Sequence, residues 1–154
     1  SMDLEQLHWS IAEGQVDGIP IWIRFRQFPV DFPRGSYPER LNIFWLMTVL
    51  DEAGAPTPSE MERSATFENR LVAAVEPDGF GVLAIVLTGG DQREYVFHTY
   101  DPSGFVQRLT EMPQEEERYP IAIYHYADPD WAYDQAVLDG IASDEIDDEL
   151  QSEL

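Results

Sequence analysis

The chain has no cysteine and no lysine. Without cysteine there is no disulfide, no thiol nucleophile and no thiolate metal site. Without lysine, Schiff-base and P-loop chemistry are excluded. Histidine is scarce, and His8, His98 and His125 show no H-x-x-x-H or other ligand spacing. No apolar run reaches signal-peptide or membrane-span length. Positive charge is thin: nine bases, all arginine, stand against thirty acids, for a formal charge of −21.

Among 154 residues, 44% are hydrophobic, enough for one globular core. We read a single domain over residues 2–138 and an acidic tail over 139–154. The tail holds seven acids and no base, so like charges are expected to fray it. The remaining 23 acids against 9 bases still leave −14 on the body. Such a field repels phosphate backbones and anionic lipids, which argues against nucleic-acid and membrane partners. It speeds encounter with a basic protein.

Residues 7–26 read as a hairpin with its turn in "EGQVDG". Residues 27–40, with three prolines and a glycine, read as a long surface loop. "LNIFWLMTVL" (41–50) has the apolar run of a strand covered on both faces. A helix over 57–77 follows, with Thr57 as N-cap, Pro58 at the first position and Glu60 completing a capping box. Its expected buried stripe is Met61, Ala65, Val72 and Val75, joined by Phe67 and Leu71. A second hairpin covers 80–100 and turns at Gly89-Gly90-Asp91. A helix over 101–112, a strand over 119–126 and a helix over 128–141 complete the chain. From 41 to 126 the order is β-α-β-β-α-β. The expected fold is therefore α+β, with a ferredoxin-like four-stranded core, an added N-terminal β-hairpin and a short C-terminal helix. The hairpin would extend the sheet or cover part of its open face.

The helix starts follow one rule. "DPSG" at 101–104 and "TPSE" at 57–60 each place a capping residue before proline. "HYADPDW" at 125–131 reads the same way, with Asp128 as cap, Asp130 at the positive helix end and Trp131 packing the helix down.

Several short stretches follow one another along the chain: Trp9, Gly18-Ile19-Pro20-Ile21, Tyr37-Pro38, Ile43 with Trp45, Phe67-Glu68-Asn69-Arg70-Leu71, Thr88-Gly89-Gly90, Glu94-Tyr95-Val96-Phe97, Tyr119-Pro120-Ile121, and Asp128-Pro129-Asp130-Trp131 with Tyr133. Together, over residues 8 to 135, they resemble a bacterial family, domain of unknown function 695. That resemblance implies no particular activity. The chain is also similar, more distantly, to the regulator of ribonuclease E activity B, a small acidic protein that inhibits an RNA-degrading enzyme by binding it. By analogy this implies a protein-binding role. The long acidic tail and Tyr95, where a tryptophan is expected, depart from the family pattern.

Candidate sites are few. His98 and His125 fall on strands expected two spacings apart, ~9–10 Å, too far to share a metal. Glu68 interrupts the apolar stripe of its helix and needs a partner, such as an arginine. Tyr95, Phe97 and Tyr124 could imitate an RNA-stacking platform, but the basic patch is missing. Tyr124 and Tyr126 share one face of the last strand, with Ile121, Ile123 and His125 on the other.

These observations are read as a non-catalytic, cytoplasmic, acidic binding or regulatory protein without metal or cofactor. It would modulate or neutralise a basic protein partner such as a nuclease or toxin, as an immunity protein does. Its candidate binding residues are Glu68, Tyr124, Tyr126, Asp128, Asp130 and Trp131. The alternative is an enzyme or small-ligand domain with a pocket between loop 27–40, Glu68 and the last helix. A homodimer through the open sheet face is a third reading.

Overall fold

In the computed structural model, which describes residues 3–141, two residues close the first hairpin. Asp17 and Gly18 have φ of 52° and 80°. A two-residue turn of that hand matches the twist of the strands it joins. The turn is therefore tighter than "EGQVDG" suggested, and Glu13–Val16 belong to strand β1 (Trp9–Val16), which pairs with β2 (Ile19–Arg26). The remaining elements are β3 (Glu39–Leu46), α1 (Pro58–Val75), β4 (Gly81–Gly89), β5 (Gln92–Thr99), α2 (Pro102–Glu111) and β6 (Ile121–Ala127). A last helix, α3, covers 132–141. Residues 142–154, most of the acidic tail, lie outside the described residues.

All six strands form one sheet in the order β1-β2-β4-β5-β3-β6, with every neighbouring pair antiparallel. The molecule is an α+β protein. Of the two placements expected for the hairpin, extension is the one found: β2 pairs with β4 and widens the sheet from four strands to six.

The helices α1 and α2 lie on one face of the sheet. Leu41, Ile43 and Trp45 of β3, Tyr95 and Phe97 of β5, Phe67 and Leu71 of α1, and Phe105 of α2 are all fully buried there. A second core fills part of the opposite face. It joins Ile23, Val82, Ile85 and Val96 to Phe32, Trp131 and Ile141. Loop 27–38 thus does more than cross the surface, since Phe32 is buried and stacks on Tyr37.

The buried stripe of α1 differs from the expected one. Glu60, Ser64, Phe67, Leu71 and Val75 are buried, while Met61, Ala65 and Val72 sit at its margin. Two polar residues are tolerated inside because each is satisfied. Glu60 accepts the Trp45 indole N–H at 3.2 Å. The Ser64 hydroxyl accepts from Arg93 at 3.1 Å, and its backbone carbonyl accepts from the Tyr95 hydroxyl at 2.8 Å. Thr57 does cap α1, accepting from Glu60 N–H, but the reciprocal half of the capping box is replaced. The Thr57 N–H donates to Val49 O, and the Glu60 carboxylate goes to Trp45.

Candidate functional site

Alternation along β3 decides what the face opposite α1 and α2 presents. Leu41, Ile43 and Trp45 point to the helices, so Arg40, Asn42 and Phe44 point the other way. They meet the equivalent side chains of β5 and β6 through the pairs Arg40 with His98 and Tyr126, Asn42 with Val96 and Tyr124, and Phe44 with Glu94 and Ala122. The result is a connected polar network. Arg40 donates to Asp128 at 2.6 Å and to the Asn42 side-chain oxygen at 2.8 Å. Asn42 donates to Glu94 at 2.7 Å, and the Tyr133 hydroxyl donates to the same Glu94 oxygen at 2.6 Å. The Arg40 guanidinium also lies between the rings of Tyr126 and Tyr133, 4.8 and 4.4 Å from their centroids. Burial and the bond to Glu94 push the Tyr133 phenol well above its ordinary pKa.

Asp128 anchors the start of α3. Its two oxygens accept the N–H groups of Ala132 and Tyr133 at 2.8 and 3.2 Å. Burial alone would raise its carboxyl. The bonds from Arg40, Ala132 and Tyr133, with the charge of Arg40, outweigh burial and hold the pKa below the usual carboxylate range. The cap expected at Asp128 is therefore present, but the helix begins at Ala132, not at Pro129. The physical reason is Trp131, whose backbone turns left-handed at φ 55° and inserts Pro129-Asp130-Trp131 as a turn. Trp131 is buried against Phe28, Phe32 and His98, and its indole N–H donates to Tyr37 O at 3.0 Å. Asp130 stays exposed beside it.

The expected binding residues therefore divide. Tyr124, Tyr126, Asp128, Asp130 and Trp131 share the α3 side of the sheet. Glu68 lies on the other side, where its carboxylate pairs with Arg24 of β2. His98 and His125 also part: His98 is fully buried on the α3 side, facing both oxygens of Asp134 at 2.8 and 3.0 Å, while His125 is exposed on the helix side. Tyr95 and Phe97 are buried under α1 and α2, on the face opposite Tyr124, so the three form no stacking platform.

A cleft of about 900 Å³ lies elsewhere, between the N-terminal segment, loop 27–38 and the end of α1. Asp3, Glu5, Glu76 and Asp78 line it together with Tyr37, and no base is among its lining residues. Burial, reinforced by Tyr100, Glu76 and Asp78, raises the Tyr37 phenol. Loop 27–38 reaches this cleft through Phe32, Pro33 and Tyr37, and a smaller cleft of about 360 Å³ brings Phe28 and Arg34 of the loop against Asp134 and Leu138 of the last helix, but Glu68 lines neither of them.

Glu68 finds the arginine partner expected for it in Arg24, and tertiary contacts decide the pairing of the other arginines. Arg24, Arg26, Arg40, Arg63, Arg70 and Arg108 form ion pairs with Glu68, Glu76, Asp128, Glu115 and Asp78. Arg34 donates to the carbonyls of Phe28 and Pro29, and Arg93 to Thr88 and Ser64. Eight of the nine bases are thus occupied inside the molecule, and only Arg118 is left on the surface without such a bond among the described residues.

A six-stranded antiparallel sheet with helices packed against it defines this molecule as a small α+β protein. The chain belongs to a family of unknown function, DUF695, whose model matches residues 7–136. No curated protein and no solved structure matched the chain. The more distant likeness to the regulator of ribonuclease E activity B therefore gains nothing from these comparisons. Among the described residues, no helix is long and apolar enough to cross a membrane.

Proposed function

We propose that this protein is a non-catalytic, acidic binding module that modulates or neutralises a basic protein, such as a nuclease or toxin. One observation carries the reading: eight of the nine arginines are consumed by internal contacts. Thirty acids outnumber nine bases, and the six arginines in ion pairs take up only a few of those acids, so carboxylate remains in surplus. An acidic surface of this kind competes with phosphate for a basic cleft and accelerates association with it. In the cleft beside Tyr37, Glu76 and Asp78 already pair with Arg26 and Arg108, so Asp3 and Glu5 are the acids that would receive partner arginines or lysines there. We place this activity in the bacterial cytoplasm, a reading supported by the lack of cysteine.

We further infer that β3-α1-β4-β5-α2-β6 is a ferredoxin-like unit to which the hairpin has been added. The order β4-β5-β3-β6, with α1 and α2 on one face, supports this.

The test is affinity capture from a bacterial lysate at about 0.05 M and about 0.5 M salt, conditions that differ severalfold in screening length. A basic protein recovered at low salt and lost at high salt is the expected result. Recovery of acidic proteins alone, or of partners indifferent to salt, overturns the reading.

A further inference from the structure

We propose that β6 is a strand-addition site, where an extended basic segment of a partner protein pairs as a seventh strand; this rests on the basic-partner reading above and gives it a mode of binding.

The free edge is defined by the ladder. Leu46 N–H donates to Pro120 O and Asp128 N–H donates to Pro38 O, each at 2.8 Å. Both bonds join even-numbered residues of the 120–128 segment to β3. Antiparallel alternation then turns the N–H groups of Ile123, His125 and Ala127 away from β3. No described residue outside the ladder accepts them.

Exposed edges are ordinarily protected by a charge, a proline or a bulge. The opposite edge, β1, carries Glu13. From Ile121 to Ala127, β6 has no charge, no proline and no glycine, and its register with β3 runs unbroken from Trp45–Ile121 to Glu39–Ala127. Tyr124 and Tyr126 are about half exposed beside this edge, at 52% and 50%. Edge pairing supplies affinity through the backbone, while side chains on alternating positions supply selection.

Charge selects the occupant. The uncharged strand is flanked by Glu116, Glu117 and Arg118 at one end and by Asp130 at the other, all exposed, so each end keeps a net negative charge. Antiparallel pairing of two copies would lay each acidic flank against the other acidic flank, between chains of −21 each. A basic strand meets opposite charge at both ends instead.

The experiment uses the full chain, labelled for amide hydrogen exchange, and two synthetic eight-residue peptides, one alternating arginine and valine, the other glutamate and valine. The arginine peptide is expected to slow exchange at Ile123, His125 and Ala127 about tenfold or more. His125→Pro removes an outward N–H without touching the β3 ladder. It should weaken binding about tenfold, while His125→Ala binds within about twofold of the parent. Ala127→Pro makes the same test should His125→Pro fail to fold. Protection that falls only around the acidic cleft, at Asn69 and Gly79, overturns strand addition and leaves the basic-partner reading standing. So does equal binding by the proline and alanine variants. Equal protection of β6 by the glutamate peptide overturns the basic-partner reading. Protection that rises with protein concentration without peptide, together with a two-chain mass in sedimentation, makes a second copy the occupant and overturns the proposal.

Discussion

The imidazole of His98 lies flat on the indole of Trp131, with ring centroids 3.9 Å apart and planes 8° from parallel. At the edge of the same ring, His98 Nε2 meets both oxygens of the Asp134 carboxylate, at 2.8 and 3.0 Å. This pair ties α3 to the sheet at β5. It also explains how a bulky residue persists at φ 55°, a backbone region that costs of order 1–3 kcal/mol outside glycine. The stack, the bond to Tyr37 O and the rings of Phe28 and Phe32 together over-determine the position of Trp131.

Trp131→Ala is expected to destabilise the protein by about 3–5 kcal/mol, the usual cost of deleting a buried aromatic side chain. Trp131→Phe retains a ring but leaves Tyr37 O without its donor, so it should cost less than Trp131→Ala, about 1–3 kcal/mol. Guanidinium denaturation of both variants measures this. A tryptophan that only decorates the surface would leave the midpoint unchanged.

Arg26 and Glu76 are both buried, with side-chain exposures of 5% and 6%. Glu76 also accepts the Leu83 N–H at 2.9 Å. Arg26→Met leaves a buried carboxylate unpaired, so it should cost about 3–5 kcal/mol. Glu76→Gln added to Arg26→Met removes the stranded charge and keeps an acceptor for Leu83. The double variant should therefore be more stable than Arg26→Met alone. A double-mutant cycle on unfolding free energy reads the coupling directly.

The Asp128 carboxyl titrates below its unfolded value of about 3.9. Its contribution is complete above that unfolded pKa and is lost as pH falls through the lower folded value. Asp128→Asn should be less stable than the parent at pH 7 and should show a shallower loss of stability below about pH 4. Urea melts across this range decide the matter. Parallel acid limbs for the two proteins would refute it.

Tyr37, Tyr95 and Tyr133 are all held above the ordinary phenol value. Burial pushes Tyr95 up to about 12, with Glu68 adding to the rise against the opposing pull of Arg93. The unfolded chain ionises these phenols first, so stability should fall as pH rises above about 10. In ultraviolet titration, Tyr37, Tyr95 and Tyr133 should ionise above the ordinary phenol range. Tyr95→Phe should flatten the alkaline limb and, near neutral pH, lose the bond to Ser64 O.

Short-range features were legible in the sequence because their partners lie a few residues away. Asp101 and Pro102 start α2, where Asp101 accepts the Gly104 N–H at 3.0 Å. The turn residues Asp17 and Gly18 mark the first hairpin, and the period of two along β6 separates Tyr124 and Tyr126 from Ile121 and Ile123. The stripe of α1 was misplaced because apolar periodicity treats glutamate and serine as surface residues. Only Trp45, Tyr95 and Arg93, brought in from other strands, make Glu60 and Ser64 acceptable inside.

Composition and local pattern alone established an acidic α+β chain with no thiol or lysine chemistry and with capped helix starts. The tertiary structure decided how charge and aromatic surface are distributed. Asp128 meets Arg40 across 88 residues and Trp131 reaches Tyr37 across 94, while Glu68 is drawn to Arg24 on the far side of the sheet. Such pairings depend on strand order and on which face each residue takes, and these follow from burying two separate cores at once.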